Sequence, residues 1–322
     1  MSGQPSRLEP PPDGQVESAV EVSVVIAAYL GAETIADCLQ SVLRATEGRR
    51  REIIVVESSG DEARAIIRER FPDVVLVTPA TRRSAGGARN EGFKLARGQL
   101  VFVTDQDCCV PPDWITKLEQ HFSDPRVGAA GGAVGVRDPW NLSGFAVYCL
   151  EFWRHFPSSA RRQRNRTFLV GCNSAYRADT LRHVAFPDQT IGEDVLFSAA
   201  IRARDQDVIY DPSIVVDHRN RHGWREFFRY NRKMGRAAAR LHRELGHWWK
   251  RPFFWFPPLV LLAPAAIVPW VFLNLLRSRW SYLGRFVLLL PMCVAGNLTW
   301  AAAFCAQALA DGRRGRSTRA RA

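Results

Sequence analysis

Two aspartates, Asp105 and Asp107, stand one residue apart at the end of the apolar segment FVTDQDCCVPPDW (Phe102–Trp114). In an extended chain, side chains at positions i and i+2 point to the same side, so both carboxylates can converge on one point. Convergent carboxylates repel each other unless a cation or a shared proton relieves them, and a hard divalent ion is a common solution. Because many turns contain the same spacing, the pair alone leaves both a metal site and an ordinary turn open.

A second acidic pair, Glu193 and Asp194, begins the apolar helical stretch in IGEDVLFS (Ile191–Ser198). Acids at the first turn of a helix are favoured by the helix dipole, which is enough to explain the pair without any chemistry. His218 follows an apolar run in VVDHRNRHGW, where a histidine serves either a structural or a ligand role.

Alternating strand and helix patterns surround the first acidic pair. VSVVIAAY (Val22–Tyr29), EIIVVES (Glu52–Ser58), VVLVTPA and QLVFVTDQD read as strands, and helical patterns lie between them. This rhythm predicts an α/β fold with a mostly parallel sheet covered by helices on both faces. Ligands of such sheets bind outside the carboxyl ends of the strands, which is where Asp105 and Asp107 lie.

The C-terminal third contains two uncharged runs, Phe253 to Leu276 and Phe286 to Ala310, each long enough to span a bilayer as a helix. Tryptophans within and beside these runs favour membrane–water interfaces. We therefore predict a helical membrane hairpin over 252–310, with a buried helical pair of a soluble protein as the alternative. Arg and Lys flank both runs, so a shallow, re-entrant hairpin would keep all basic flanks on one cytoplasmic face.

The chain carries a net charge of +12, and the excess is concentrated around the apolar runs. Residues 218–251 hold eleven Lys or Arg and two Glu, a local charge of +9, and the segment 311–322 is a basic tail. The pattern of residues 219–251 predicts basic, amphipathic interfacial helices. A basic protein can bind nucleic acid, but the sequence shows no recognition element for it and its charge flanks apolar spans, which favours an anionic membrane surface.

Two further features concern the environment of the chain. Residues 1–20 are polar and rich in proline, without the apolar core of a signal peptide, and are predicted to be disordered. The seven cysteines include no CxxC pair, which indicates reduced thiols rather than a disulfide framework.

Five motifs, taken in order, resemble those of family 2 glycosyltransferases. They are VSVVIAAYLGAETIADCLQSVL, EIIVVESSGDEA, GGARNEGFKLARGQLVFVTDQDCCVPPDWITKL, FLVGCNSAYRADTLRHVAF and IGEDVLFSAAIRARDQDVIYDPSIVVDH. The resemblance covers roughly Val22 to His218 and implies a GT-A, Rossmann-like domain over 21–218. It also implies a nucleotide-diphosphate sugar as donor and a divalent metal, Mg²⁺ or Mn²⁺, as cofactor.

The resemblance assigns the donor side of the site. The end of the first strand, Ala27 to Tyr29, would border the nucleotide base, and Glu57 would contact the base or ribose, although a turn-capping role for Glu57 is the alternative. Arg89 and Asn90 would lie near the donor diphosphate or organise the loop.

The resemblance also assigns the metal and the base. Asp107 would bind the metal, Asp105 would contact ribose or metal, and His218 would complete the metal shell or touch the diphosphate. Glu193 and Asp194 resemble the catalytic ED motif, with Asp194 as the base of an inverting transfer.

Two departures from the family pattern refine the expectation. ESSGD is shorter and less acidic than the usual turn, so a catalytically inactive nucleotide-sugar-binding scaffold is the alternative to an enzyme. The chain lacks the Gln-x-x-Arg-Trp motif of processive enzymes, which predicts transfer of one sugar or a few. The basic loop SSARRQRNRTF (Ser158–Phe168) and the basic, amphipathic segment that begins at Trp224 together predict a lipid-linked or membrane-proximal glycan as acceptor, with solvated surface charge as the alternative for the loop. With the apolar runs, they also predict a location at the cell membrane with the catalytic domain on the cytoplasmic face.

Overall fold

The structure is a computed structural model, which describes residues 20–158, 162–188, 191–220, 223–245 and 251–319. The segment predicted to be disordered lies, up to residue 19, outside the described residues. Within them, nine strands form one mixed sheet in the order β3-β2-β1-β4-β8-β6-β9-β5, and β7 pairs with β9. The strands are β1 (Val22–Ala28), β2 (Arg51–Glu57), β3 (Val75–Val77), β4 (Leu100–Asp105), β5 (Cys108–Cys109), β6 (Val127–Val136), β7 (Gln163–Arg164), β8 (Ser174–Arg177) and β9 (Asp207–His218).

Helices cover the sheet and continue beyond it. They are α1 (Ile35–Ala45), α2 (Ala63–Arg70), α3 (Ala85–Phe93), α4 (Trp114–Glu119), α5 (Leu142–Glu151), α6 (Ala178–His183), α7 (Glu193–Arg202), α8 (Trp224–Glu244), α9 (Arg251–Trp255), α10 (Ala263–Ser278), α11 (Leu283–Leu288) and α12 (Leu290–Arg319). Short 3₁₀ turns occupy Gln120–Ser123, Pro257–Leu262 and Trp280–Tyr282.

The first four strands are parallel, as the sequence predicts. Every side chain of β1 is buried except that of Ala27, which is half-buried, because helices cover both faces of the sheet. In α1, Ile35, Leu39 and Val42 are buried at helical spacing against the same core. The α/β fold class is thus confirmed, with an antiparallel strand, β8, inserted between β4 and β6.

Strand register brings the predicted site residues to one edge of the sheet. Ala27 of β1 lies opposite Asp105 of β4, and Ala28 lies opposite Glu57 of β2. At the other side of the same edge, β5 pairs with the end of β9, so Cys108 lies opposite His218. Residues from separate parts of the chain therefore meet where the parallel strands end.

The C-terminal helices pack against the sheet domain. Helix α8 runs along α12 so closely that a side chain at Gly235 would meet the Trp300 carbonyl at 2.1 Å. Helix α10 contributes Val271 and Leu275 to the core that also contains Phe145 of α5. The predicted interfacial helix α8 thus has one face buried within the protein.

Two segments, Pro257–Ser278 and Leu290–Asp311, are long and apolar enough to cross a membrane, judged by length and composition. Only 28% and 39% of their most apolar windows are buried by the rest of the protein, so much apolar surface is left uncovered. Large exposed side chains in or beside these segments are Trp255, Leu262, Trp270, Trp280 and Leu288. Their position agrees with the predicted C-terminal apolar hairpin.

Candidate active site

A cavity of about 270 Å³ opens at the carboxyl ends of β1 and β4, and is here called the strand-end cavity. Five of the predicted site residues line it, namely Ala27, Tyr29, Asp105, Asp107 and His218. β1 and β4 are neighbouring parallel strands, so the residues that follow their carboxyl ends border the same space.

Hydrogen bonds and cations shape the rim of the strand-end cavity. Gln106 ties the loop after β4 to that after β1: its amide nitrogen donates to the Tyr29 carbonyl at 2.7 Å, and its amide oxygen accepts from the Tyr29 N–H. The Arg82 guanidinium lies 4.2 Å from the centre of the Tyr29 ring. Arg83 and Lys233 also line the cavity, which gives it three cations suited to a phosphorylated ligand.

Asp107, His218 and Cys108 form a candidate metal cluster beside the strand-end cavity. Their ligand atoms lie within 4.8 Å of one another, and His218 Nε2 is 3.5 Å from Asp107 Oδ1. The buried Nδ1 of His218 has no hydrogen-bond partner among the described residues. Burial raises the pKa of the Cys108 thiol well above its usual value, and the nearby carboxylates of Asp107 and Asp105 add to this effect.

The chemistry of this donor set fits a divalent cation. The carboxylate suits Mg²⁺ or Mn²⁺, and histidine is a common metal ligand. The remaining positions of a Mg²⁺ shell are commonly filled by water and substrate phosphate. Asp105 lies outside this cluster because its carboxylate is engaged by Arg89, whose Nη2 is 3.0 Å from Asp105 Oδ1.

Glu57 caps the turn after β2 and is absent from the lining of the strand-end cavity as the described residues form it. Its buried carboxylate accepts hydrogen bonds from the backbone N–H groups of Ser59 and Gly60, and it pairs with Arg64. Burial alone would raise the pKa of Glu57, but these hydrogen bonds outweigh burial and hold the pKa below its usual value. The turn-capping alternative therefore describes the position of Glu57 here.

Asn90 also lies away from the strand-end cavity. Its side-chain amide donates to the Phe186 carbonyl at 2.8 Å and its oxygen accepts from the Phe186 N–H at 2.9 Å. Asn90 thus fixes the segment that precedes α7, which is the loop-organising role rather than contact with a ligand.

Arg89 is a buried cation that links the two acidic pairs. One nitrogen, Nη1, lies 3.2 Å from Asp194 Oδ1 and 3.5 Å from Glu193 Oε1, while Nη2 reaches Asp105. Burial lowers the pKa of Arg89, but the three carboxylates outweigh it and raise the pKa, so the guanidinium stays charged. The positive charge is balanced by these carboxylates, so Arg89 bridges the two acidic pairs.

Asp194 lies in the first turn of α7, and its pKa is strongly raised. Its Oδ2 accepts a hydrogen bond from the Gly171 N–H at 3.0 Å. Burial raises the pKa of Asp194 to about 7, against the opposing effect of Arg89. Residue 171 must be glycine for this arrangement, because a Cβ there would lie 2.2 Å from the Arg89 guanidinium carbon. The site thus holds one carboxyl whose proton affinity suits acid–base chemistry near neutral pH.

A second cavity, of about 330 Å³, lies between α7 and the C-terminal helices and is here called the helix-side cavity. Arg89, Glu193 and Asp194 line one side of it. The C-terminal part of its wall consists of Met234, Ala238, Leu241 and Trp300. Ala85, Asp105 and His218 line both cavities, so the two meet at these residues.

Comparison with known families now decides the class of protein. The model of the family described as Glycosyl transferase family 2 matches residues 23–185, about half of the chain. The chain belongs to glycosyl transferase family 2. The resemblance drawn from the five sequence motifs is therefore confirmed.

Relatives of this family 2 chain include proteins of polysaccharide synthesis. The chain is 34% identical over 123 residues to the succinoglycan biosynthesis protein ExoO of Rhizobium meliloti (strain 1021), covering 38% of this chain and 34% of ExoO. It is 26% identical over 198 residues to the poly-beta-1,6-N-acetyl-D-glucosamine synthase of Staphylococcus epidermidis, covering 59% of this chain and 48% of the synthase. The chain thus matches about a third to a half of these relatives' length.

Solved structures with the same fold include two proteins bound to nucleotide sugars. A mannosyltransferase, PcManGT, from Pyrobaculum calidifontis, in complex with GDP-Man and Mn²⁺, has a TM-score of 0.58 at 21% identity, covering 92% of this chain and 88% of that one. S. aureus TarS 1–349 in complex with UDP-GlcNAc has a TM-score of 0.50 at 15% identity, covering 92% of each chain. At these identities the likeness establishes the GT-A fold of the family 2 chain.

Some residues of the family 2 site were not anticipated from sequence. They are Arg82, Arg83, Gln106, Glu151 and Lys233. The Arg82–Arg83 pair stands two residues before the glycine pair of the predicted turn, and this position is the sequence signal that points to it. The sequence places Lys233 among the cations of an amphipathic helix, and its position at the cavity depends on how α8 packs.

Proposed function

We propose that the protein transfers a sugar from a nucleotide-diphosphate sugar to an acceptor hydroxyl by an inverting displacement, with Asp194 as the base. The observation that carries this proposal is the meeting of the two cavities at Asp105 and His218, with cations on one side and Asp194 on the other. A donor and an acceptor bound in the two cavities would have their reacting atoms at this junction.

The strand-end cavity has the properties of a donor site. The Tyr29 ring and the strand end at Ala27 offer a surface for the nucleobase, and Tyr29 is held in place by Gln106 and Arg82. The guanidinium of Arg83 and the ammonium of Lys233 suit the diphosphate, because charge-assisted hydrogen bonds favour a phosphate oxygen strongly. Glu57 keeps the adjacent turn in shape, so the base specificity rests on other groups of this cavity.

Asp107 and His218 would hold a divalent metal, Mg²⁺ or Mn²⁺, with Asp105 close to the same space. When bound, the metal would neutralise charge that develops on the diphosphate leaving group. The mannosyltransferase of the same fold holds Mn²⁺ with its nucleotide sugar, which supports a metal of this class.

Asp194 acts on the acceptor side. Its carboxylate takes the proton of the acceptor hydroxyl while the hydroxyl oxygen forms its bond to the anomeric carbon. The bond from that carbon to the diphosphate oxygen breaks on the opposite face, and the electron pair leaves with the nucleotide diphosphate. Arg89 holds Asp194 and Asp105 at fixed positions, and Glu193 completes the carboxylate shell of Arg89.

The acceptor is proposed to be a lipid-linked or membrane-proximal glycan. The helix-side cavity is walled by α8 and α12, and α12 contains one of the two segments able to cross a membrane by length and composition. The many cations of α8 suit an anionic lipid surface, which supports the proposal that the catalytic domain lies on the cytoplasmic face of the cell membrane.

A screen of nucleotide sugars with Mg²⁺ or Mn²⁺ tests the proposal, with released nucleotide diphosphate as readout and a membrane lipid extract as acceptor. GDP-mannose and UDP-N-acetylglucosamine head the panel, because structures of the same fold bind them. We expect metal-dependent release with one donor and faster release when the extract is added. Donor binding without turnover for every donor would instead favour the inactive scaffold suggested by the shortened ESSGD turn.

A further inference from the structure

A third cavity, of about 580 Å³, lies between the sheet domain and α10 and is here called the basic cavity. Its size is in the range of small-molecule and cofactor sites, roughly 300 to 1,000 Å³. Its cations are Arg154, Arg166 and Arg277, and its aromatic residues are Trp153, Phe156, Phe168, Tyr210 and Trp270.

In the described part of the chain, the three arginines of the basic cavity lack acidic partners. Among the described residues, no Asp or Glu oxygen lies within 4.0 Å of a side-chain nitrogen of Arg154, Arg166 or Arg277. The neighbouring Arg164, by contrast, pairs with Asp124 at 3.0 Å. Burial lowers the pKa of Arg154 and the charge of Arg166 lowers it further, so the cavity concentrates positive charge that a ligand anion would relieve.

The cavity is also held in shape before any ligand arrives. Arg166 Nη2 donates to the Arg154 carbonyl at 2.6 Å, and its guanidinium lies 4.7 Å from the centre of the Tyr210 ring. Arg202 donates to the carbonyls of Arg166 and Thr167, each at 2.7 Å. A fixed backbone beneath the cations lowers the entropy cost of binding a ligand.

The surroundings of the basic cavity connect it to both the membrane segment and the active site. Trp270 and Arg277 belong to Pro257–Ser278, one of the segments able to cross a membrane by length and composition. Phe168 lines both the basic cavity and the helix-side cavity that contains Asp194. A ligand in the basic cavity would thus lie one aromatic side chain away from the proposed acceptor site.

We infer that the basic cavity binds the diphosphate group of a lipid-linked acceptor, so that the acceptor's sugar enters the helix-side cavity past Phe168. This inference rests on the proposed function for its acceptor role and adds the chemical class of the lipid link. Guanidinium groups bind phosphate oxygens with paired hydrogen bonds, and the exposed apolar surface of α10 suits the attached hydrocarbon chain. Trp270, which is half exposed, stands between these two environments.

The test measures binding of farnesyl diphosphate to the full chain in neutral detergent micelles by calorimetry, with EDTA present to suppress metal-assisted binding at the donor site. The double variant Arg154→Gln and Arg277→Gln removes two charges whose side chains make no hydrogen bond or ion pair in the described chain, so folding should be kept. We expect about tenfold weaker binding for each arginine removed. The control Arg68→Gln removes an exposed charge on α2 and should leave affinity unchanged.

Two ligand controls identify the source of the phosphate. Inorganic diphosphate and farnesol should each bind at least tenfold more weakly than farnesyl diphosphate, since each lacks half of the proposed ligand. Equal affinity for inorganic diphosphate would overturn the lipid assignment, and unchanged farnesyl diphosphate affinity in the double variant would overturn the site.

Donor hydrolysis without acceptor separates this inference from the proposed function. The double variant should hydrolyse donor at the rate of the unmodified protein, since neither arginine lines the strand-end cavity. If the unmodified protein hydrolyses donor but the double variant binds farnesyl diphosphate as tightly as the unmodified protein, the inference is wrong while the proposed function stands. If it hydrolyses no donor while arginine-dependent binding persists, the proposed function fails and the acceptor role with it.

Discussion

The two acidic pairs of the site both carry carboxylates and both contact Arg89, but they border different cavities. Asp105 and Asp107 lie at the end of a strand, partly exposed to a cavity lined by cations. Asp194 lies at the start of a helix, where burial raises its pKa to about 7. The first pair borders a cavity lined by three cations, and the second borders a cavity with a partly apolar wall. These surroundings suit the roles proposed for them, charge stabilisation for the first pair and proton transfer for the second.

Arg89 shows how the pairs depend on each other. It is nearly inaccessible, with 3% of its side chain exposed, and it contacts an acid from each pair. A single charge thus positions both sides of the site, which a comparison of variants on the two sides can test.

The largest effect is expected on the helix side. Asp194→Asn keeps the shape of the side chain but removes its basicity, so kcat should fall about 10³-fold, within the range for loss of a general base. Donor affinity, measured by calorimetry, should change less than about threefold. Asp179→Asn, at an exposed acid of α6, is the matched control. Near-normal turnover in the Asp194 variant would remove the base from the proposed mechanism.

On the strand side, we expect a smaller loss of turnover, and one that depends on the Mn²⁺ concentration. Asp107→Asn removes a carboxylate of the candidate metal cluster, so turnover at submillimolar Mn²⁺ should fall about a hundredfold, the upper end for losing even an outer-shell partner. High Mn²⁺ should restore part of the rate, which it should not do for Asp194→Asn. The exposed Asp73→Asn on the same domain serves as control, and a metal titration identical to that of the unmodified protein would contradict a ligand role for Asp107.

The smallest expected effect is a change of kcat/KM with pH, which tests the helix side of the site alone. Because the base works in its ionised form and its pKa is raised to about 7, kcat/KM should fall about tenfold for each pH unit below 7 and level off above it. Rates of donor transfer between pH 5.5 and 8.5 give this profile. A profile that stays flat down to pH 5.5 would mean that Asp194 is not the titrating group.

The sequence by itself determined the local elements and the residues at their ends. Continuous apolar runs such as Val22–Tyr29 and the DxD spacing at Asp105 depend on neighbouring residues, so period and turn chemistry were enough to place them. The five ordered motifs gave the family, which the match over residues 23–185 confirms. The acidic pairs at the end of a strand and the start of a helix could likewise be identified from local sequence patterns.

Only the tertiary structure decided which of those residues face the same space. Glu57 caps its own turn, and Asn90 hydrogen-bonds the backbone of a distant loop. Arg89 forms ion pairs with acids of both pairs. Each role depends on partners that only the folded chain brings close. Lys233 reached the strand-end cavity through the packing of α8 against α12. The raised pKa of Asp194 likewise arises from burial, a property of the assembled protein, since no local pattern fixes what covers a side chain.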